Sequence, residues 1–283
     1  MATLRTIKKR IKSAGNIQQI TKAMKMVSAS KLRKAQERIF QARPYAVKIE
    51  EVIDELIVNV KSERGRYPLL EENKGVAREA VVLITADKGL CGSFNTNLFK
   101  AAVGKLKETP NAAFYIIGKK GMDNMKKLGL EVEKFKFNDR KINWGDIEEI
   151  SSLMIKNYTA KKYSKITMIY SEFQTSLMQK IVNKQLVPVV FEAKGSPARS
   201  FIYEPSETEV LNSLLLRYIK TQLFRAVLES QTAEQGVKMV SMEMATNNAK
   251  EMIRSLTLLA NNTRQAQITK EILEIVSGAE AIK

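Results

Sequence analysis

The residues best suited to hold a small ligand form a glycine-rich turn. The run from Val81 to Ala86 predicts a buried parallel strand, and the turn Gly89-Leu90-Cys91-Gly92-Ser93-Phe94 then leads into a helix. Free backbone N–H groups at the start of such a helix often bind phosphate. The turn, however, matches neither G-x-G-x-x-G nor the G-x-x-x-x-G-K-[ST] phosphate loop. Nucleotide binding stays open beside a structural turn or a partner contact, which the missing motif favours.

Little else in the chain predicts catalysis. Asp87 and Lys88 are adjacent, but no second polar group stands at a fixed spacing from them, which favours a solvated pair. The chain has no histidine, which excludes Ser-His and Cys-His pairs and histidine-ligated zinc. The single Cys91 cannot form an internal disulfide, as expected in a reducing compartment. We therefore expect no catalytic residue, no cofactor site and no metal site.

A polar group at residues 261–265, Asn-Asn-Thr-Arg-Gln, interrupts a helix with an apolar stripe. It has two interpretations. The group could form exposed helix surface, or Arg264 and Gln265 could make fork-like hydrogen bonds to a loop of a partner.

The helix that carries this group is the longest predicted element. Residues 206–277 contain no proline and only one glycine, Gly236, so an unbroken helix would be about 105 Å long. Its own chain cannot bury all of it. The predicted a/d seam is Met242, Ala245, Ala249, Met252, Leu256, Leu259, Thr263 and Ala266. Beyond Ala266 the apolar stripe changes phase, to Ile268, Ile272, Ile275, Ala279 and Ile282.

Residues 3–60 are the natural antiparallel partner of that helix. The three-four rhythm runs through Leu32, Ala35, Ile39, Ala42, Ala46, Ile49, Ile53, Leu56 and Val60. Before this stretch, the helical periodicity of apolar residues continues. It predicts a contact face of Leu4, Ile7, Ile11 and Ala14 and then, after a shift of register, of Ile17, Ile20, Met24 and Val27. Pro44 removes one backbone hydrogen bond and should kink the helix.

The charge of the chain predicts an acidic partner. The formal net charge is +17, and the N-terminal helix carries thirteen basic residues up to Lys48 against the single acid Glu37. This charge run fits a solvated face or contact with acidic surfaces, which could belong to nucleic acid, an anionic membrane or a protein. No apolar run approaches the ~18 residues of a membrane span.

Between the two helices, strands and helices alternate, which predicts an α/β layer with a mostly parallel sheet. The predicted strands are Val81–Ala86, Phe114–Ile117, Ile166–Tyr170 and a last one near Val182–Val190, which Pro188 demotes to an edge. Predicted helices run to about Lys107, from Lys119 to Leu128, and from Asp146 to about Lys161. We predict a fold with a central Rossmann-like α/β domain (61–205) and an antiparallel coiled coil of two terminal helices (1–60 and 206–283). Residues 201–205 are predicted as a short strand and turn.

Three separated motifs resemble the gamma subunit of F-type ATP synthases. They are ITKAMKMV at residues 20–27 with SKLRKA at 30–35, TADKGLCG at 85–92, and RQAQITKE at 264–271 with EIVSGA at 274–279. The resemblance covers essentially the whole chain. It implies a central rotor shaft that turns inside a ring of three alpha and three beta subunits, with the α/β domain beside epsilon and the c-ring. Nucleotide chemistry would belong to beta.

The resemblance also assigns contacts to single residues. Arg264 and Gln265 match positions that engage a loop of beta. Met24, with Thr269 and Lys238 on the opposing helix, matches positions that influence the coupling of rotation to catalysis. The family often has arginine where Lys238 stands.

Tyr203 and Glu204 match the region near epsilon and the c-ring. The resemblance further implies one copy per complex, at the cytoplasmic face of a bacterial cell membrane. The redox cysteine pair of the chloroplast branch is missing, so thiol regulation is not expected.

Two other classes compete with this interpretation. A basic coiled-coil protein could bind nucleic acid, but its basic helix then needs stacking aromatics and has only Phe40 and Tyr45. A stand-alone nucleotide-binding enzyme would instead bind nucleotide as an isolated chain.

Overall fold

The computed structural model describes residues 3–59, 66–138, 142–176, 178–190 and 204–280. They form two compact units, one of the residues up to 28 with those from 239 onward, the other of residues 29–238. The elements are α1 (Leu4–Asn59), β1 (Ala80–Ile84), α2 (Phe94–Glu108), β2 (Ala113–Ile117), α3 (Lys119–Lys127), β3 (Val132–Lys136), α4 (Trp144–Thr159), β4 (Ile166–Phe173), β5 (Gln179–Val187) and α5 (Glu207–Glu280).

The unit of residues 29–238 contains a five-stranded sheet in the order β3-β2-β1-β4-β5. The first four strands in this order are parallel, and β5 runs antiparallel to β4. The predicted fold class and the edge position of the last strand are confirmed. β3 was not predicted, because its sequence VEKFK has only two apolar residues and each of its residues stays half-buried.

The two faces of the sheet are covered by different helices. Ala80, Val82 and Ile84 of β1 pack in one cluster with residues of α1, α4 and α5. Val81 and Leu83 point to the opposite face and pack in a second cluster with α2 and α3. Alternate residues of β1 thus face opposite layers, as the pleat of a strand requires. A central strand buried on both faces explains its uniformly apolar sequence.

A close backbone approach fixes the carboxyl end of β1 to the start of α3. Gly118 precedes α3 with φ +112°, and a Cβ at this position would lie 2.2 Å from the backbone oxygen of Thr85. The Thr85 hydroxyl accepts a hydrogen bond from the Gly121 N–H at 2.9 Å and donates to the Gly118 oxygen at 3.2 Å. Only glycine fits Gly118, both in space and in backbone conformation.

In the other unit, the start of α1 pairs with the carboxyl half of α5 in antiparallel orientation. The Thr246 hydroxyl donates to the Thr21 hydroxyl at 2.8 Å, and Lys25 Nζ lies 2.6 Å from Glu243 Oε1. Since the α1 residue number rises as the α5 number falls, the two helices run in opposite directions.

The predicted register shift in α1 is wrong. Ile17, Ile20 and Val27 are 53%, 59% and 55% exposed. The less exposed stripe continues without a shift through Leu4, Ile7, Ile11, Ala14, Gln18, Thr21, Lys25 and Ser28. A shift of one residue would turn the contact face by about 100°. The helix instead keeps one face and accepts polar residues on it.

The predicted seam of α5 is half right. Met242, Ala249, Leu256 and Thr263, at steps of seven, are buried or half-buried as expected. The second set of seam residues, Thr246, Ile253 and Ala260, lies four residues after Met242, Ala249 and Leu256 and not three residues after them as predicted. Of the predicted companions, Ala245 is half-buried, but Met252 and Leu259 are 55% and 48% exposed and Ala266 is also exposed. Ile268, Ile272 and Ile275 beyond the seam are exposed as well.

The predicted apolar stripe of α1 within residues 29–238 is confirmed, because Leu32, Ala46, Ile49, Ile53 and Leu56 are buried. Pro44 lies inside α1, and its kink stays a prediction, as does the three-part domain division. Residues 201–203 of the predicted strand and turn at 201–205, and the predicted helix end at Val60, fall outside the described residues. No helix in the described ranges is long and apolar enough to cross a membrane.

Replacing Gly118 with alanine should destabilise the unit of residues 29–238 by about 2 kcal/mol or more, because Cβ meets the Thr85 backbone and φ is strained. As a control, Gly104→Ala on exposed α2 surface should stabilise it by roughly 0.5–1 kcal/mol. Urea unfolding followed by fluorescence of Trp144, the only tryptophan, measures both. Equal effects of the two variants would contradict the close approach.

The corrected seam predicts different costs for two leucines one helical turn apart. Leu256→Ala should destabilise the helix pair by about 1 kcal/mol or more, because its side chain is half-buried. Leu259→Ala should cost less than about 0.5 kcal/mol because Leu259 is exposed. Thermal unfolding of the full chain by far-UV circular dichroism compares them. A larger loss from Leu259→Ala would restore the seam predicted from the sequence.

Candidate functional site

The glycine-rich turn after β1 is held by its own side chains. Asn95 Oδ1 accepts the Ala86 N–H at 3.1 Å, and Asn95 Nδ2 donates to Cys91 Sγ at 3.3 Å. Cys91 is buried, and burial raises the pKa of its thiol. Asp87 Oδ1 accepts the Lys119 N–H at 2.7 Å, so its carboxylate caps the start of α3. These bonds give the turn a structural task.

The carboxyl ends of β1 and β4 mark the point where the strand order reverses, the usual ligand crevice of doubly wound sheets. Here α5 packs against this edge. Glu229 Oε2 accepts the Phe173 N–H at 3.3 Å. A Cβ on Gly236 would lie 3.2 Å from the Phe173 ring, so glycine lets α5 approach the β4–β5 hairpin closely.

A chain of hydrogen bonds connects the same carboxyl end of the sheet to α5. Asn138 Nδ2 donates to the Thr85 oxygen at 2.7 Å, and Gln231 Nε2 donates to Asn138 Oδ1 at 2.8 Å. Thr85 and Asn138 are both buried, so the bond between them is shielded from competing water. β1 and α5 are thereby joined through one amide side chain.

A second polar chain joins β5, α5 and α1. Lys184 Nζ donates to Gln222 Oε1 at 3.1 Å, and Gln222 Nε2 donates to Glu50 Oε1 at 2.7 Å. Burial lowers the pKa of Lys184. Lys220 of α5 also bonds Glu148 of α4 at 2.6 Å. Sequence reasoning missed all of these connections, although polar residues inside the apolar first half of α5 were a visible signal.

Part of the basic face of α1 lines a cavity of about 290 Å³ in the unit of residues 29–238. Lys31, Lys34 and Arg38 stand there at spacings of three and four, together with Lys88 after β1. Asp87 and Glu234 line the same cavity and partly offset its charge. Four cations around one opening suit contact with an acidic segment. Within the described ranges, no group of acidic or cysteine side chains could hold a metal ion.

The structure places Arg264, Gln265 and Thr269 together on exposed surface of α5. The Thr269 hydroxyl donates to the Gln265 backbone oxygen at 3.0 Å, so this bond does not use the side chain of Gln265. Arg264 makes no hydrogen bond or ion pair with the described residues of this unit. Met24, on α1 of the same unit, is half-buried.

The other predicted residues lie elsewhere. Lys238 belongs to the unit of residues 29–238, where its Nζ lies 3.2 Å from Glu234 Oε1 and its side chain is mostly buried. Glu204 is exposed just before α5. Tyr203 falls outside the described residues.

Comparisons with known proteins agree with this architecture. The ATP synthase family model matches residues 3–282. The ATP synthase gamma chain of Desulforamulus reducens is 43% identical, and that of Heliobacterium modesticaldum 40%, with both chains covered completely in each case.

Solved structures show the same fold. A chain of the Euglena gracilis mitochondrial ATP synthase superposes with a TM-score of 0.69 at 18% identity, covering 99% of this chain and 94% of the other. A chain of the Tetrahymena thermophila enzyme, in a structure of its central stalk and c-ring, gives 0.64 at 24% identity, covering 80% and 99%. The full-length sequence matches, together with this fold, show that the chain belongs to the ATP synthase gamma chain family.

Proposed function

We propose that this chain is the central rotor shaft of a proton-translocating F-type ATP synthase and that it carries no catalytic site of its own. The observation that carries the proposal is the helix pair of residues up to 28 and from 239 onward. Its seam contains Thr21 and Lys25, whereas Ile17, Ile20 and Val27 face outward. A helix pair that exposes apolar side chains and places polar ones in its seam needs other proteins around it.

The surrounding proteins would be the alpha and beta subunits in a ring of three each. Arg264 and Gln265 are exposed and adjacent, as contact with a loop of beta requires. A guanidinium can hold a carboxylate or backbone carbonyls in fork geometry, so Arg264 would fix the loop at one rotary angle. Because the faces of the shaft differ, each angle would favour a different state of each beta subunit.

Coupling would depend on further residues of the shaft. Met24, Thr269 and Lys238 are proposed to set how tightly rotation and catalysis are linked. The basic cavity at Lys31 and Lys34 would meet acidic segments of beta, with an attraction that salt screens. Such contacts steer and orient partners more than they add affinity.

The central domain would receive torque from the membrane sector. We place epsilon and the c-ring beside it, with Tyr203 and Glu204 near both, and one copy of the chain per complex. The bonds from Asn138 to Gln231 and from Lys184 to Gln222 would transmit force from the sheet to α5. The complex would sit at the cytoplasmic face of a bacterial cell membrane, with this chain peripheral and regulating ATP hydrolysis. The comparisons give no support to the nucleic-acid-binding alternative.

Rotation is the direct test of the proposal. In a complex with its own alpha and beta subunits, this chain would carry Cys91→Ser and Lys107→Cys, which leaves one thiol on the exposed surface of α2. A bead attached there should turn in one direction when ATP is added. The same bead on a complex locked by a cross-link between the shaft and beta should stay still. ATP hydrolysis without any rotation of the bead would reject the rotor function.

The role of Arg264 can be separated from assembly. Arg264→Ala should lower proton-driven ATP synthesis in membrane vesicles several-fold, because a contact with beta is lost, while the amount of assembled complex is unchanged. Arg254→Ala, also an exposed arginine of α5, is the matched control and should leave synthesis unchanged. If both variants synthesise ATP at the wild-type rate, Arg264 has no part in coupling.

A further inference from the structure

A half-open cavity of about 570 Å³ lies in the unit of residues 29–238, bounded by α1, α4 and α5. Nothing in the rotor function uses it. Its volume is within the range of small-molecule sites, roughly 300–1,000 Å³. Its walls are mainly apolar. They are formed by α1, α4 and α5, which pack with β1 in one hydrophobic cluster. The cavity is therefore a preformed feature of this unit.

The cavity has aromatic walls. Trp144 of α4 and Phe224 of α5 meet edge to face, with ring centroids 5.8 Å apart and planes at 73°. Tyr45 of α1 lines the cavity beside them, and both Tyr45 and Trp144 keep more than a third of their surface exposed. Ile39 and Leu228 add aliphatic surface. Large aromatic rings left accessible around a concavity are typical of sites for an apolar ligand body.

One side of the cavity is cationic. Arg217 and Arg225 of α5 both line it, two helical turns apart. Arg225 is partly compensated, since its Nε lies 3.8 Å from Glu229 Oε1. Arg217 has an exposed side chain and no carboxylate partner among the described residues. The Thr221 hydroxyl between them donates to the Arg217 backbone oxygen at 2.8 Å and so adds no free donor.

We propose that this cavity binds an amphipathic monoanion, an aliphatic or aromatic carboxylate. The apolar body lies against Trp144, Phe224 and Tyr45, and the carboxylate pairs with Arg217. A planar guanidinium binds a carboxylate through two parallel hydrogen bonds, which a neutral amide cannot reproduce. The partial compensation of Arg225 by Glu229 leaves one net positive charge, which favours a monoanion over a dianion.

Trp144 reports binding directly, because it is the only tryptophan of the chain. The probe is decanoate, used below its micelle concentration and titrated into the full-length chain. Tryptophan fluorescence should change and saturate. Decanamide, with the same alkyl chain and no charge, should bind at least tenfold more weakly. No saturable change with decanoate, or equal binding of the amide, overturns the proposal.

Variants separate the cation from the walls. Arg217→Gln should weaken decanoate binding at least tenfold, and Arg217→Lys less than Arg217→Gln, since lysine keeps the charge without the fork. Arg254→Gln, on α5 outside the cavity, should leave binding unchanged. Ala42→Leu should abolish binding by filling the cavity between α1 and α5. Equal affinity in Arg217→Gln and Arg254→Gln would refute the assigned role of Arg217.

The assembled enzyme gives the last test. Equilibrium dialysis of labelled decanoate against purified ATP synthase should show one more bound equivalent in the wild-type complex than in the Arg217→Gln complex. If the isolated chain binds decanoate and the two complexes do not differ, a neighbouring subunit fills the cavity, and the ligand site is rejected. The comparison does not depend on ATP synthesis, so its failure is distinguishable from failure of the rotor proposal.

Discussion

Burial of the first half of α5 against the sheet is the interaction on which the unit of residues 29–238 depends. Leu211, Leu215, Ile219, Leu223 and Val227 are almost completely buried in the cluster that also contains β1 and α1. At about 1.5–3 kcal/mol for each buried aliphatic side chain, these five residues contribute more than any single polar contact. The bonds through Asn138 and from Lys184 to Gln222 then have a different role, which is to fix the rotation of α5 on the sheet. Apolar burial holds the helix, and directional bonds position it.

The carboxyl half of α5, in contrast, has polar residues in its contact face with α1. Its pairing with α1 includes a hydroxyl pair, Thr21 with Thr246, and an ion pair, Lys25 with Glu243. Polar residues in such a seam contribute little to stability, but they select one register and one orientation. The Lys25–Glu243 pair is more than a third exposed, so its own stabilisation is small. A weakly apolar seam with apolar residues outside it suits a helix pair whose stability comes from enclosing subunits.

The sequence was sufficient to predict the helices and most of the sheet, because long apolar periodicity and short apolar runs are local signals. It was insufficient where a helix has two apolar faces, where a strand has few apolar residues, and where the contact joins residues far apart in the chain. Apolar residues occupy two faces of α1, and periodicity cannot decide whether Ile17 or Gln18 faces α5. β3 was missed because an edge strand with half-buried lysines lacks the apolar signal. The proposed beta contact at Arg264 came from a motif, whereas the Thr85–Asn138–Gln231 chain joins residues far apart in sequence and needed coordinates.

The sheet edge near Gly236 shows how one fold can be put to another use. In doubly wound sheets the reversal of strand order leaves a crevice where ligands bind. Here α5 lies against β4 at that edge, and the absence of a Cβ on Gly236 lets the helix reach Phe173 and the β4–β5 hairpin. The glycine-rich turn, which elsewhere would face a phosphate, is occupied by Asn95 and Cys91. In ligand-binding sheets and in this chain alike, the fold provides a rigid carboxyl end of the strands. Here α5 lies at that end, in the place where a ligand would otherwise bind.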